Sequence, residues 1–317
     1  MEDVVAGIDI GGTNTVFGLV DKDGNVLAEN RFRTTDYPDI KNFISAIDMA
    51  IGKMMKEKSG IKLSGIGIGA PNANYHKGTI EQAPNLAWKG IVPLAGLMRE
   101  KIDVPVSVTN DANAAAIGEM IFGGAKEMKD FIVITLGTGL GSGIVINGEL
   151  VYGHTGFAGE LGHQIIVPGG RACGCGRQGC FETYASASGL VRTVLNMLSD
   201  MREDSSLREI PPSQITSKLI VEKANENDPI ALEAIDYTAE MLGFGIANAI
   251  AFSSPEAVFL FGGLVKAGNI LLDPIREYTA QNVFPIYKGT YKILPSAISE
   301  SNAAVLGAAA LAWNELK

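Results

Sequence analysis

The amino-acid sequence predicts an α/β protein divided into two lobes. The chain has 317 residues, more than one compact core usually supports. Strand-like and helical patterns alternate along it, and one arrangement of strands and turns occurs twice. With 46% hydrophobic and 19% charged residues, the composition is that of a globular protein. The length of the chain, the alternation of strands and helices and the repeated unit together predict two lobes.

The repeated unit is a run of three strands joined by a glycine-rich turn and a hairpin. Its first copy spans residues 8–28 and its second residues 134–151. In each copy an Asp-Gly or Asn-Gly pair indicates the hairpin that leads to the third strand. A Rossmann fingerprint or a P-loop would pass from its glycines directly into a helix, and neither copy does so.

The two glycine turns suggest a common ligand. Backbone N–H groups and hydroxyls of both turns could face a polyphosphate from two sides, an arrangement that suits ATP. The alternative is that both are ordinary hairpin turns in two sheets.

Strands and helices alternate around the repeats. Strands are predicted at residues 63–69, 104–109 and 257–261, and helices at residues 43–56, 111–122, 231–251 and 303–316. The pair Gly262-Gly263 reads as the turn that opens another helix. Residues 197–217 read as a solvated insertion or a helical linker.

Asp111 is the candidate catalytic base. It follows the strand at residues 104–109 and lies in the first turn of a predicted helix, where the helix dipole favours an ionised carboxylate. Sheets of this class bind ligands at the carboxyl ends of their strands, and in phosphoryl transfer an Asp can accept the proton of the acceptor hydroxyl. The alternative role is a helix cap, since Asn and Asp are common N-caps.

A cluster of His and Cys indicates a metal site. All three cysteines, Cys173, Cys175 and Cys180, lie in one short segment, and His163 precedes them. Three thiolates and an imidazole can complete a tetrahedral structural Zn²⁺ site. The odd number of cysteines and the expected cytoplasmic location disfavour a disulfide. A catalytic cysteine is the remaining alternative. The spacing also departs from the commoner Cys-x-x-Cys.

Two glutamates flank this cluster. Glu160 lies just before His163, and Glu182 lies just after Cys180. A metal that fixes the loop would also fix these carboxylates, which could accept hydrogen bonds from the hydroxyls of a sugar. The alternative is that both are surface glutamates on a solvated loop.

In this order the motifs resemble the ROK family of sugar kinases and repressors, within the actin-like ATPase superfamily. The resemblance covers essentially the whole chain and rests on the motifs at residues 9–13, 110–113, 136–139, 159–163, 173–182 and 261–263. It implies two actin-like (ribonuclease H-like) lobes with an ATP and sugar cleft between them. We expect residues 1–112 and the C-terminal helix 303–317 to form the smaller lobe, and residues 113–302 the larger lobe with the zinc-binding loop.

The resemblance also implies roles for individual residues. Asp111 would deprotonate the 6-hydroxyl of a hexose that receives phosphate from MgATP, and Asp9 would help to organise Mg²⁺. The nucleotide-binding residues would be Asp9, Gly11, Gly12, Thr13, Asn14, Gly137, Thr138, Gly139, Gly262 and Gly263. The sugar-binding residues would be Asn85, Asn110, Asp111, Glu160, His163 and Glu182. The Zn²⁺ ligands would be His163, Cys173, Cys175 and Cys180.

The preferred sugar is inferred from one segment. Residues 83–88 resemble the Pro-Asn-Leu segment of bacterial glucokinases more than that of N-acetylhexosamine kinases, so glucose is the first expectation. N-acetylglucosamine, N-acetylmannosamine and fructose are the alternatives. Two positions depart from the family pattern. Asn14 stands where many members have Lys, and Asn72 stands near the expected sugar site where Gly is usual.

Charge and the N-terminal sequence exclude several classes. A net charge of −9 and a pI near 5.0 argue against nucleic-acid and anionic-membrane partners. The first residues lack a basic segment followed by an apolar run, so we expect a cytoplasmic protein. A sugar-responsive ROK repressor is the alternative of another class, and it would carry a DNA-binding segment before Asp9. A homodimer is expected from the family resemblance alone.

Overall fold

The structure is a computed structural model that describes residues 1–317, apart from the side chains of residues 300 and 301. Eleven strands and α-helices lie before residue 129. Its strands are β1 (Glu2–Ile10), β2 (Asn14–Val20), β3 (Val26–Arg33), β4 (Ile61–Gly69), β5 (Ala73–Asn74), β6 (Thr79–Glu81), β7 (Ile91–Val92) and β8 (Val106–Thr109). Its helices are α1 (Ile40–Glu57), α2 (Leu94–Arg99) and α3 (Asp111–Ile121).

The remaining elements follow residue 130. The strands are β9 (Phe131–Leu136), β10 (Leu140–Ile146), β11 (Glu149–Leu150), β12 (Ala257–Phe261) and β13 (Lys292–Pro295). The helices are α4 (Glu182–Ala185), α5 (Ala187–Asp200), α6 (Ser217–Asn225), α7 (Pro229–Ser253), α8 (Asn269–Asn282) and α9 (Glu300–Glu315).

The first five-stranded sheet has the order β3-β2-β1-β4-β8. Strands β1, β2 and β3 form an antiparallel meander, while β4 and β8 join β1 in parallel. The amphipathic helix α1 covers it, with Asp39 as its N-cap. Phe43 of α1 is buried against Trp88, at 4.5 Å between ring centroids.

The second five-stranded sheet repeats this plan with the order β11-β10-β9-β12-β13. Strand β12 runs parallel to both β9 and β13. Asn147 and Gly148 both adopt positive φ, 55° and 78°, as a type I′ hairpin turn between β10 and β11 requires. The meander predicted for each copy of the repeat is therefore confirmed.

The chain forms two compact units. The first comprises residues 1–129, 143–158 and 296–317, and the second comprises residues 130–142 and 159–295. The alanine-rich α9 packs on β1, β4 and α3 of the first unit, where its backbone lies directly against glycines of the two strands. Helix α3 therefore groups with the first unit, whereas the expected lobe boundary at 112/113 assigns it to the larger lobe.

The helices and strands expected from sequence patterns are present. Helices α1, α3, α7 and α9 and strands β4, β8 and β12 match the predicted segments within a few residues. Residues 197–217 contain the end of α5 and two short 3₁₀ turns before α6 begins. No helix among the described residues is both long enough and apolar enough to span a bilayer.

Candidate functional site

Asp9 and Asp111 lie close together at the carboxyl ends of three parallel strands. Asp9 of β1 pairs with Gly69 of β4, and Gly69 pairs with Thr109 of β8. A side chain built on Gly69 would meet the Asp9 Oδ1 at 3.5 Å and the Asp111 Cα at 3.9 Å. Asp9 and Asp111 therefore lie at the same edge of the sheet, where α/β sheets bind ligands.

Asn110 is the N-cap of α3, and Asp111 is not. The Asn110 Oδ1 accepts a hydrogen bond from the Asn113 N–H at 2.7 Å, which meets the capping requirement of the helix. The Asp111 carboxylate accepts from the neighbouring Ala112 N–H, at 2.9 Å. Solvent reaches the Asp111 side chain, which leaves it accessible to a substrate.

The two carboxyls have raised pKa values. Surrounding protein atoms desolvate the Asp111 carboxyl and raise its pKa, although the Ala112 N–H acts in the opposite direction. Burial, and next the negative charge of Asp111, raise the pKa of Asp9 from 3.8 to about 7. Two oxygen ligands in a site short of positive charge suit a hard divalent cation such as Mg²⁺.

The first glycine turn, residues 11–14, is held by hydrogen bonds on both sides. The Gly11 N–H donates to the Asn14 carbonyl at 2.9 Å. The buried Thr34 donates through its Oγ1 to the Gly11 carbonyl at 2.7 Å, and its N–H donates to the Thr13 carbonyl at 2.8 Å. These hydrogen bonds involve only the backbone of the turn, and the side chains of Thr13 and Asn14 are exposed.

Gly12 lies directly against the segment that carries Asn85. A Cβ atom built on Gly12 would lie 2.8 Å from the Asn85 carbonyl oxygen and 3.0 Å from the Asn85 Cβ. These distances are shorter than van der Waals contact, so only glycine fits. The structure thus brings a predicted phosphate-binding residue and a predicted sugar-binding residue together within the first unit.

Asn72 adopts a left-handed conformation, which explains why glycine can be replaced there by asparagine. Its φ is 52°, a region that Asn tolerates better than most residues. The Asn72 carbonyl accepts from the Glu81 N–H at 3.0 Å, and its side-chain amide lies 3.3 Å from the Gln82 carbonyl. Asn72 thereby ties the end of β4 to the segment leading to Asn85.

The second unit contains the His and Cys cluster. The ligand atoms of His163, Cys173, Cys175 and Cys180 all lie within 4.8 Å of one another. The Cys175 and Cys180 sulfurs are 3.6 Å apart, and the Cys173 sulfur is 3.8 Å from the His163 Nδ1. A tetrahedral Zn²⁺ site with bonds of about 2.3 Å to sulfur separates its ligands by about 3.8 Å. The four residues therefore fit Zn²⁺, and all three cysteines are free of disulfides.

Glu182 lies between this cluster and the second glycine turn. Its Oε1 is 3.0 Å from the Cys173 sulfur and 3.7 Å from the His163 Nδ1. Its Oε2 occupies the space beside Gly139, where a built Cβ would be only 2.7 Å away. Glu160 is exposed and directly precedes the 3₁₀ turn that carries His163.

The second glycine turn, residues 137–139, is exposed and is held by the start of α5. The Ala187 N–H donates to the Gly137 carbonyl at 2.9 Å. The Ser188 hydroxyl donates to the Thr138 carbonyl at 2.6 Å. These bonds fix the backbone of the turn, whose three residues are exposed to solvent.

Gly262 and Gly263 lie beside this turn. Strand β12 pairs in parallel with β9, with Phe261 opposite Thr135, so both strands end at the same edge. Gly262 has φ 111°, and a built Cβ would lie 2.6 Å from the Leu136 carbonyl oxygen. Gly263 has open space around it, which leaves room for a ligand.

Thr34, Ala187 and Ser188 are residues that the sequence motifs did not reveal. They hold the two turns through hydrogen bonds to backbone carbonyls. A backbone carbonyl that accepts a hydrogen bond cannot be recognised from the sequence. Only the order Ser186-Ala187-Ser188 at a helix start indicates donors that could bind such carbonyls.

The family comparison agrees with the geometry of both units. A model of the ROK family matches residues 5–315. The glucokinase of Streptomyces coelicolor is 38% identical over 276 residues, covering 86% of this chain and 85% of the relative. The glucokinase of Thermotoga maritima is 32% identical over 309 residues, covering 96% of each. The xylose repressor of Bacillus subtilis is 32% identical over 304 residues, covering 95% of this chain and 74% of the repressor.

Solved structures give the same fold. A ROK family glucokinase from Streptomyces griseus, in complex with glucose and AMPPNP, matches with a TM-score of 0.81 at 35% identity, covering 98% of this chain and 99% of that one. A ROK hexokinase from Thermus thermophilus matches with a TM-score of 0.80 at 28% identity, covering 99% of each. A ROK family transcriptional regulator matches with a TM-score of 0.86 at 26% identity, covering 98% of this chain and 78% of that one. The predicted α/β fold with two actin-like lobes is confirmed.

Proposed function

Because the chain belongs to the ROK family, we propose that it is a sugar kinase that transfers the γ-phosphoryl group of ATP to the 6-hydroxyl of a hexose. The observation that carries this proposal is the Asp111 carboxylate, which is accessible to solvent and does not cap its helix. A carboxylate at the carboxyl edge of a sheet is placed to accept a proton from a bound ligand.

Asp111 is the proposed general base. Its raised pKa makes the ionised carboxylate a stronger proton acceptor than an ordinary Asp. As the 6-hydroxyl oxygen forms its bond to phosphorus and the bond to the ADP oxygen breaks, the hydroxyl proton passes to Asp111. Asn110, held as the cap of α3, keeps the first turn of that helix fixed and presents Asp111 and its own amide NH₂ to the sugar.

Mg²⁺ and ATP are the proposed cofactors. Asp9 would hold the ion, because the charge of a divalent cation offsets both causes of its raised pKa, which are first burial and then the negative charge of Asp111. Mg²⁺ would neutralise charge that develops on the phosphates. The exposed residues of each glycine turn and the open space at Gly263 are suited to contact a nucleotide.

The His163 to Glu182 segment is proposed to orient the sugar. Bound Zn²⁺ would supply structural cross-linking of this loop. With Zn²⁺ bound at the His163 Nδ1, which faces the cysteines, the Nε2 would carry the proton and could donate to a sugar hydroxyl. The carboxylates of Glu160 and Glu182 would accept hydrogen bonds from other hydroxyls, and Asn85 is a further proposed sugar-binding residue.

Glucose is the proposed hexose. It is supported by the Pro84-Asn85-Leu86 segment and by the glucokinase relatives at 32–38% identity. N-acetylglucosamine, N-acetylmannosamine and fructose are the other acceptors to be compared. The similarity to xylose repressors makes a sugar-responsive regulator the alternative function.

The decisive assay compares these four sugars with the purified protein. With MgATP, we expect hexose-dependent ADP formation with the highest kcat/KM for glucose. The Asp111→Asn variant, purified in the same way, controls for contaminating kinases of the expression host. A protein that binds a hexose in calorimetry but phosphorylates none of the four would refute the kinase proposal and favour the regulator.

A further inference from the structure

The second glycine turn contains a contact that phosphate binding does not explain. Among its glycines, Gly137 has open space where a Cβ would lie, whereas Gly139 has none. The atom that fills the space beside Gly139 is the Glu182 Oε2, 2.7 Å from the built Cβ position. A glycine required only for the approach of phosphate would face open space, as Gly137 does.

Both oxygens of the Glu182 carboxylate lie against other groups of the second unit. One oxygen lies beside Gly139, and the other lies 3.0 Å from the Cys173 sulfur and 3.7 Å from the His163 Nδ1. The carboxylate thus lies between the His and Cys cluster on one side and the second glycine turn on the other. Its position depends on both.

The turn itself cannot easily move away from Glu182. Its carbonyls at Gly137 and Thr138 accept hydrogen bonds from the Ala187 N–H and the Ser188 hydroxyl. These donors belong to the first turn of α5, which Ser186 caps and which follows closely after Glu182 in the chain. A side chain added at Gly139 would therefore displace the mobile end of Glu182 before it displaced the backbone.

We propose that Gly139 is a positioning residue for the sugar: its missing side chain leaves the space in which Glu182 is held for the acceptor hydroxyls. The inference rests on the proposed function, because it assumes that Glu182 contacts the hexose. It assigns to a residue of the phosphate turn an effect on sugar affinity that exists without nucleotide. Glu182 then links the metal cluster, the sugar and the turn.

The test measures hexose binding by calorimetry without nucleotide, for wild type, Gly139→Ala and the matched variant Gly137→Ala. We expect Gly139→Ala to weaken the hexose Kd about tenfold or more, the cost of losing a charged hydrogen bond. We expect Gly137→Ala to leave the hexose Kd within about twofold of wild type, because its Cβ meets nothing within 4 Å. Metal content and Tm verify that both variants fold.

A double-mutant cycle identifies the route of the effect. In a Glu182→Ala background, Gly139→Ala is expected to cause no further loss of hexose affinity, since its target is already removed. Additive losses, equal losses in both glycine variants, or an unchanged Kd in Gly139→Ala would each overturn the inference. Because binding needs no turnover, a wild type that binds hexose without phosphorylating it refutes the kinase proposal and leaves this test intact.

Discussion

The two glycine turns share a plan, yet they are packed against different kinds of neighbour. In the first unit, Gly12 meets the backbone carbonyl and Cβ of Asn85. In the second unit, Gly139 meets the far end of the Glu182 side chain. Backbone cannot yield without moving a whole segment, whereas a carboxylate can rotate. The first turn is therefore rigidly coupled to its neighbour, and the second is coupled through an adjustable group.

The chemistry of the two regions differs in the same way. The first turn lies at the edge that carries Asp9 and Asp111, whose carboxyls both have a raised pKa. The second turn lies beside Glu182, which contacts the His and Cys cluster. We expect changes in the first region to act mainly on kcat or stability, and changes in the second to act mainly on the binding of the sugar.

The largest effect is expected at Asp111. Asp111→Asn removes the proton acceptor, so kcat should fall about 10²- to 10⁴-fold, while the hexose Kd changes less than about threefold because Asn keeps an oxygen acceptor. Steady-state kinetics and calorimetry measure the two quantities. A large loss of hexose affinity with kcat preserved would remove the proposed division between the regions.

Loss of the proposed Zn²⁺ is expected to have the next largest effect, confined to the second region. Cys175→Ser alters an exposed ligand, and it should lower bound zinc from about one per chain and weaken the hexose Kd about 10- to 100-fold. Elemental analysis and calorimetry measure these. Gly174→Ala, in the same loop with open space at its Cβ, is the control and should keep its metal. A Cys175→Ser protein that lacks zinc but binds hexose normally would separate the metal from the sugar.

Replacing the two glycines compares the turns directly. Gly12→Ala forces a Cβ against backbone and should destabilise the protein by about 1–3 kcal/mol, seen as a lower Tm. Gly139→Ala should lower the Tm less, because Glu182 can move. If the Tm values fell in the opposite order, the contrast between a rigid and an adjustable neighbour would be wrong.

The smallest effect is expected for Asp9→Asn, as a gain in stability. Folding raises the pKa of Asp9 from 3.8 to about 7. The free energy of unfolding therefore decreases as the pH rises from about 4 to 7, because Asp9 ionises more readily in the unfolded chain. Without ligands, Asp9→Asn should therefore be more stable than wild type at pH 8, by about 1–2 kcal/mol after solvent screening. The difference should shrink towards pH 4, which thermal unfolding across pH can follow. A variant less stable than wild type at pH 8 would contradict the assigned cause.

Local sequence patterns predict where two groups of candidate residues lie on the fold. The strand end and helix start on either side of Asp111 are visible in the sequence, and the close spacing of residues that can ligate a metal indicates the cluster of His163 with Cys173, Cys175 and Cys180. The contacts of Gly12 with Asn85, of Gly139 with Glu182 and of Thr34 with the first turn join residues far apart in the chain. Such contacts depend on tertiary packing, which periodicity does not encode.

Whether phosphate passes to the 6-hydroxyl is the central claim, and one comparison of two sugars tests it most directly. Wild-type protein with MgATP labelled in the γ-phosphoryl group is incubated with glucose or with 6-deoxyglucose. We expect label in glucose 6-phosphate, and we expect 6-deoxyglucose to inhibit competitively without accepting label. Label on 6-deoxyglucose, or no label on glucose, would contradict the proposed reaction.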